Sequence, residues 1–241
     1  MYGGEKVLTT YYAIGDVHGM DDMLERLHVK IYADIEARGD EDFCVVHVGD
    51  YVDRGPDSRQ VIERLMRMQG EHPESVVCLK GNHEDMMLRA LSGVQPPSAM
   101  RHWFVNGGKA TLKSYDGDSA VLQEHLDWME HLPLTLRDAD RLLCFVHAGI
   151  DPACFPTIAP EVALWTRSER FYEPSTWSAC TEGWTIVHGH SPSLNATDPH
   201  ATRGQRINVD EGACFPHPAA RLACVRIAPG EPNARFAVRR R

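Results

Sequence analysis

The seven cysteines of this 241-residue chain include no C-x-x-C pair. Cys44, Cys78 and Cys144 lie inside apolar runs and the total is odd, so reduced core thiols, a reducing compartment and a cytoplasmic setting are expected. Long hydrophobic stretches are missing too: none approaches the ~20 residues that a membrane span requires. The N-terminus lacks the basic-then-apolar pattern of a leader peptide. Positive charge is in the minority, with 25 Lys and Arg against 34 Asp and Glu and a formal net charge of −9. That balance argues against a general nucleic-acid binder, so neither nucleic acid nor membrane is expected as a partner. There is no internal repeat, no low-complexity tract and no linker that would divide the chain into separate domains. No Gly-x-Gly-x-x-Gly follows the first strand-like segment, which sets aside a Rossmann-type cofactor enzyme. Asn106-Gly107-Gly108 lacks the following Lys-Ser/Thr of a P-loop and reads as a turn.

What is present is one repeated grammar, an apolar β-branched run that ends in a glycine-bracketed polar turn. Phe43-Cys44-Val45-Val46-His47-Val48 runs into Gly49-Asp50-Tyr51-Val52-Asp53-Arg54-Gly55. Two carboxylates so close repel one another unless a cation or a donor satisfies each. A divalent metal on Asp50, with Asp53 turned to another partner, removes that conflict, and Arg54 then offers a fork for an anionic ligand. Four more runs end alike, in Gly15-Asp16-Val17-His18-Gly19, Gly81-Asn82-His83-Glu84, His147-Ala148-Gly149 and His188-Gly189-His190. Gathered at the C-terminal edge of a sheet, such turns surround one point, where α/β folds place their ligands.

In chain order, residues 1–6 read as a polar lead and 7–14 as the first strand. A helix follows, capped by Asp21 or Asp22 and stopped by Gly39; a second starts at Pro56-Asp57-Ser58 and ends at Gly70. The opening is β-α-β-α-β, and helices of this length predict right-handed crossovers between parallel strands. Residues 92–132 read as a helical insert lined by Trp103, Phe104, Leu112 and Tyr115, and 135–146 as a hairpin. Residues 151–181 read as an irregular rim segment, a kind that is usually functional. Four strand-like segments close the chain, and 1–241 is expected to form a single domain.

Taken together, the five turns resemble the signature set of the calcineurin-like metallophosphoesterases. The full Gly-Asp-x-Val-Asp-Arg-Gly and Gly-Asn-His-Glu forms are similar to the phosphoprotein phosphatase family of serine/threonine phosphatases, in its small bacterial and phage branch. The resemblance implies an α/β fold with a central β-sandwich of mixed sheets flanked by helices. It also implies two divalent ions, a requirement that chemistry supports: phosphate-ester hydrolysis needs a barrier reduction of order ~20 kcal/mol, and a metal pair ~3.5–4 Å apart can supply much of it. By resemblance, Asp16 and His18 hold the first ion, Asp50 bridges, and Asn82, His147 and His190 hold the second. His190 is preferred to His188 because Gly189-His190-Ser191-Pro192 fits the Gly-His-Ser/Thr-Pro pattern. Hard oxygen plus imidazole without thiolate suits Mn²⁺, Fe or Zn²⁺, and Mn²⁺ is the ion expected by analogy with bacterial-type enzymes. His83 is the implied general acid, oriented by Asp53. Arg54 and Arg167 resemble the phosphate clamp, with Asn82 also at the substrate.

The activity implied is hydrolysis of phosphoserine and phosphothreonine in proteins by direct attack of water, with a phosphorylated protein or peptide as partner. The alternative is a nucleotide hydrolase of the same fold, cleaving diadenosine tetraphosphate. Relatives of that kind tend to carry Gly-Asn-His-Asp and to lack the full Val-Asp-Arg-Gly, so Glu84 and Asp53 favour the first reading. A scaffold that has lost activity has no use for His83, Asp53, Arg54 and Arg167 together. Other residues read as structural: His47 and His188 as packed, Glu84 as closing a helix start, Asn208-Val209-Asp210-Glu211-Gly212 as a strand end, Arg239-Arg240-Arg241 as a solvated tail. Two departures stand out. Lys80 replaces an arginine found in many relatives, and Phe215-Pro216-His217-Pro218 replaces a glycine-rich turn at the rim of the site.

Overall fold

The computed structural model describes residues 9–94, 96–173, 177, 179–194 and 206–241. The polar lead over 1–6 and the first two residues of the opening strand lie outside them. Strand β1 (Thr10–Ile14) leads through α1 (Asp21–Arg38) to β2 (Phe43–His47), and then through α2 (Ser58–Glu71) to β3 (Val76–Cys78). These three strands are parallel, with Thr10 opposite Phe43 and Val45 opposite Val76. Helices α3 (Asn82–Leu91), α4 (Pro97–Val105), α5 (Gly108–Tyr115) and α6 (Ser119–Glu130) follow. An antiparallel hairpin of β4 (Thr135–Asp138) and β5 (Leu143–Val146) comes next. Two short helices, α7 (Pro160–Trp165) and α8 (Glu169–Tyr172), occupy a portion of the segment expected to be irregular. Strands β6 (Thr185–His188), β7 (Arg206–Asn208), β8 (Leu222–Ile227) and β9 (Ala234–Val238) complete the order.

The strands form two mixed sheets, ordered β3-β2-β1-β8-β9 and β4-β5-β6-β7. Period-2 alternation decides what lies between them. Tyr11, Ala13, Cys44 and Val46 of the first sheet face Leu143, Phe145, Val187 and Ile207 of the second and form the inter-sheet core. The alternate residues Tyr12, Ile14 and Val45 face outward onto Leu24, Leu27, Ile31, Val61 and Leu65 of α1 and α2. On the far side of the second sheet, Cys144, Val146 and Ile186 are covered by Phe155, Ala163 and Phe171. The architecture is an α/β sandwich of mixed sheets flanked by helices.

Helix ends differ from the sequence reading in two places. Neither Asp21 nor Asp22 caps α1: Met20 holds the cap position, Asp21 binds Arg64 and Asp22 binds Arg26. Two arginines within reach are stronger partners for a carboxylate than a backbone N–H. Gly70 does not end α2, which runs on to Glu71 and is closed by the His72 N–H donating to the Met68 carbonyl. Gly39 does end α1, in the left-handed conformation (φ 64°) that costs glycine nothing.

Candidate metal centre

Each parallel strand delivers its turn to the same edge. Asp16 and His18 follow β1, Asp50 to Arg54 follow β2, Asn82 and His83 follow β3, His147 follows β5 and His190 follows β6. The turns after β2 and β3 meet so closely there that a Cβ on Gly81 would lie 2.2 Å from the Asp50 nitrogen, which is why the turn before Asn82 begins with glycine. Of seven non-glycine residues with positive φ among the described residues, five are His18, Asp50, Asp53, Arg54 and His190. A left-handed conformation costs such residues roughly 1–2 kcal/mol each, and strain gathered this way marks a functional site.

Asp16, His18, Asp50, Asn82, His83, His147 and His190 are all buried. His18, Asp50 and His83 offer ligand atoms within 4.8 Å of one another, and so do Asp50, His147 and His190. Asp50 is common to both groups. Its Oδ1 is 3.4 Å from His147 Nε2 and its Oδ2 is 3.5 Å from His18 Nε2. Asn82 Oδ1 lies 2.8 Å from His147 Nε2 and 2.9 Å from His190 Nδ1. Asp16 stands at the border of the cluster, where it accepts the backbone N–H of His190 at 3.1 Å and contacts Asp210.

Tautomers provide a test of fit for metal. The Nδ1–H of His147 donates to the Val48 carbonyl at 3.0 Å and that of His18 to the Val52 carbonyl at 2.8 Å. The Nε2 of each ring therefore turns a lone pair toward the carboxylate of Asp50, acceptor against acceptor, with the Arg54 guanidinium on that of His18. His190 Nε2 is buried with no hydrogen-bond partner among the described residues. Burial, and then neighbouring imidazoles, lower the pKa of His18 and bring His190 down to about 2. Burial likewise lowers that of His147. All three are neutral, the form a metal binds. For Asp50, burial opposes the charge, but any proton that His147, His83, His18 or His190 takes up favours it and holds the carboxyl below its usual range. A buried carboxylate among neutral imidazoles and an amide oxygen is a donor set for divalent cations, and these residues fit them.

His83 is placed differently. Its Nδ1 is 2.6 Å from Asp53 Oδ2, and its Nε2 accepts from Arg54 Nη2 at 2.9 Å. Burial lowers its pKa, but Asp50 and then Asp53 raise it above the ordinary imidazole value. Arg54 also donates to His18 Nε2, spanning two rings of the cluster. Arg167 sits at the exposed rim with Nη2 3.5 Å from the His190 carbonyl.

The sequence reading missed what holds Asp53. Trp103 Nε1–H of α4 donates to its Oδ1 at 2.9 Å, and the Thr111 hydroxyl of α5 donates to the same oxygen at 2.6 Å. The signal lay in the glycine pair read as a plain turn: a Cβ on Gly107 would meet the Arg54 nitrogen at 2.7 Å, and one on Gly108 the Trp103 ring at 2.4 Å. Glu84 also does more than close a helix start. Its carboxylate accepts the N–H groups of Gly81, Asp50 and Tyr51 at 2.8–2.9 Å and so ties two of the turns together. His47 packs on His28 (Nε2 to Nε2, 2.9 Å), and His188 is buried against Arg206 rather than turned into the cluster. Lys80 points away, its ammonium bound to the Glu130 carbonyl at the end of α6.

A strained, cation-seeking cluster with an arginine on it and another at its rim, on a sandwich of mixed sheets, is the arrangement of a metal-dependent phosphoester hydrolase. Residues 9–217 match the family model of calcineurin-like phosphoesterases, and the chain belongs to that family. It is similar to the symmetrical bis(5'-nucleosyl)-tetraphosphatase of Acidovorax sp. (strain JS42), 36% identical over 207 residues that make up 83% of this chain and 63% of that protein. The enzyme of the same name from Nitrosococcus oceani is 32% identical over 146 residues, 58% of this chain and 44% of that one. The chain thus spans 44–63% of the length of these two curated relatives. A crystal structure provisionally called a diadenosine tetraphosphatase superposes with a TM-score of 0.62 at 19% identity, covering 96% of this chain and 97% of that one. A Saccharomyces cerevisiae serine/threonine phosphatase with similarity to human PP5 reaches 0.63 at 16%, covering 92% and 73%. At those identities the two structures speak for the fold alone.

The curated relatives overturn the expectation of a serine/threonine protein phosphatase with a phosphorylated protein as partner. That choice rested on Glu84 and Asp53. One braces backbone turns and the other holds an imidazole, so neither faces a substrate and neither distinguishes one phosphoester from another.

Proposed function

We propose that this chain hydrolyses dinucleoside polyphosphates of the diadenosine tetraphosphate type. The observation that carries the reading is the name shared by its curated relatives at 30–36% identity; the anion-seeking arginines around the buried cluster support it. Asp16, His18, Asp50, Asn82, His147 and His190 are the proposed holders of two divalent ions, with Mn²⁺ as the activating metal. When bound there, such ions supply positive charge that makes water acidic enough to attack phosphorus. The chain's own residues do the rest. Arg54 and Arg167, with the Asn82 amide, take phosphate oxygens; a guanidinium fork matches that geometry where an ammonium does not. A phosphate that recruits Arg54 uncovers Nε2 of His83, which takes up a proton from solvent and passes it to the departing phosphate oxygen. Asp53 keeps Nδ1–H in place and, with Asp50, makes the ring more basic than an ordinary imidazole. Residues 1–241 act as one domain in this reading, in a reducing cytoplasm that suits the buried free thiols of Cys44, Cys78, Cys144 and Cys224.

The test is hydrolysis of diadenosine tetraphosphate by the Mn²⁺-loaded chain, followed as two ADP per substrate, against phosphate release from a phosphothreonine peptide, each with and without chelator. The dinucleotide should be the better substrate by kcat/KM, and chelator should abolish its cleavage. A peptide cleaved faster than the dinucleotide would refute the proposal.

A further inference from the structure

Exposed aromatic surface is rare among the described residues. Six large apolar side chains are exposed among the described residues: Val29, Val94, Val105, Leu142, Trp165 and Phe215. Both aromatic members stand at the candidate metal centre, each 36% exposed. Trp165 closes α7 beside a buried Leu164, and its ring meets that of His190 edge-on at 6.5 Å. His102 lies 6.3 Å away on another side. Phe215 lies beneath the Arg54 guanidinium, 5.7 Å from its carbon. Arg54 reaches His18 and His83, whereas His190 belongs to the group with His147. The two rings therefore stand by different groups of the cluster, Trp165 beside His190 with Arg167 close by and Phe215 beside Arg54.

We propose that Trp165 and Phe215 are stacking platforms for the two nucleobases of a dinucleoside polyphosphate whose phosphate tether lies along the cluster, an inference that rests on the function proposed above. An aromatic face left to solvent forgoes burial but offers every base a π-surface. The surroundings keep the rings in place. Phe215 belongs to a turn in which its N–H donates to the Gly212 carbonyl at 2.9 Å, and the prolines at 216 and 218 restrict the backbone that follows. Trp165 is held by its neighbours: the Ala148 N–H donates to the Ala163 carbonyl at 2.7 Å, and Leu164 is buried. A molecule with a base at each end of a four-phosphate chain matches a polar centre with one ring beside each group of the cluster; a single phosphoryl group uses neither.

The test is inhibition of p-nitrophenyl phosphate turnover by the Mn²⁺-loaded chain, comparing diadenosine tetraphosphate with inorganic tripolyphosphate and correcting for the KM of each variant. The wild type should prefer the dinucleotide. Trp165→Leu and Phe215→Leu, which keep apolar bulk but lose the π-face, should each narrow that preference about tenfold, or about 1.4 kcal/mol. Trp165→Phe and Phe215→Trp should restore it. A preference within twofold of wild type in both leucine variants would overturn the platforms. A wild type that shows the preference yet never cleaves the dinucleotide would instead sink the proposed reaction.

Discussion

His83 shows how little separates a proposed ligand from a proposed acid at the scale of one residue. It lies among the same buried groups as His18 and His147, yet Asp53 takes its Nδ1–H where those two rings give theirs to backbone carbonyls. A carboxylate partner keeps an imidazole basic; a carbonyl partner leaves it neutral and free to ligate. His83→Asn should therefore leave bound metal unchanged by elemental analysis while kcat falls roughly 10²–10⁴-fold, the usual worth of a proton donor; loss of metal would place His83 among the ligands. His47 permits a prediction outside the centre. Burial lowers its pKa from 6.5 to about 4. The unfolded chain then binds the proton more readily, so the stability due to neutral His47 is complete above pH 6.5 and is lost as pH falls toward 4, by about 3 kcal/mol. In urea titrations His47→Gln should lose less stability than wild type over that interval, and parallel profiles would exclude the effect.

At the scale of elements, the α4–α5 insert belongs to the site rather than decorating it. Its Trp103 and Thr111 hold Asp53, which holds His83. Trp103→Phe keeps the packing but removes the N–H, and a hydrogen bond to a charged group is worth about 1.5–3 kcal/mol. The expected outcome is a drop in kcat of about tenfold, with a shifted pH–rate profile and unchanged metal content. A variant with the wild-type profile would confine Trp103 to packing. The β-α-β-α-β opening was legible because its apolar periods are unbroken and its turns carry glycine. The role of the insert was not, since nothing local in Trp103 says that its N–H faces a carboxylate that lies 50 residues earlier.

At the scale of the whole molecule, two sheets bring five turns to one edge, and the acceptors gathered there repel one another until a cation arrives. Metal binding and folding should therefore be linked. At one hundred times its Kd, Mn²⁺ should add about 2.7 kcal/mol, raising Tm by roughly 5–10 °C for a chain of this size. Asp50→Asn, which removes the charge shared by both groups, should abolish most of that rise in a thermal melt. A full rise in the variant would show that Asp50 is not the common ligand.

Beside the sandwich class, which followed from the family its turns resemble, the sequence by itself determined the order of the opening strands and the identity of nearly every polar residue in the cluster. These are written in local patterns: alternation, glycine-bracketed turns and donor types that suit a hard cation. Only tertiary structure decided that Trp103 and Thr111 hold Asp53, that Glu84 ties two turns together, and that one exposed aromatic ring stands beside His190 and another beside Arg54. Those outcomes depend on contacts between residues far apart in the chain, which local composition does not encode.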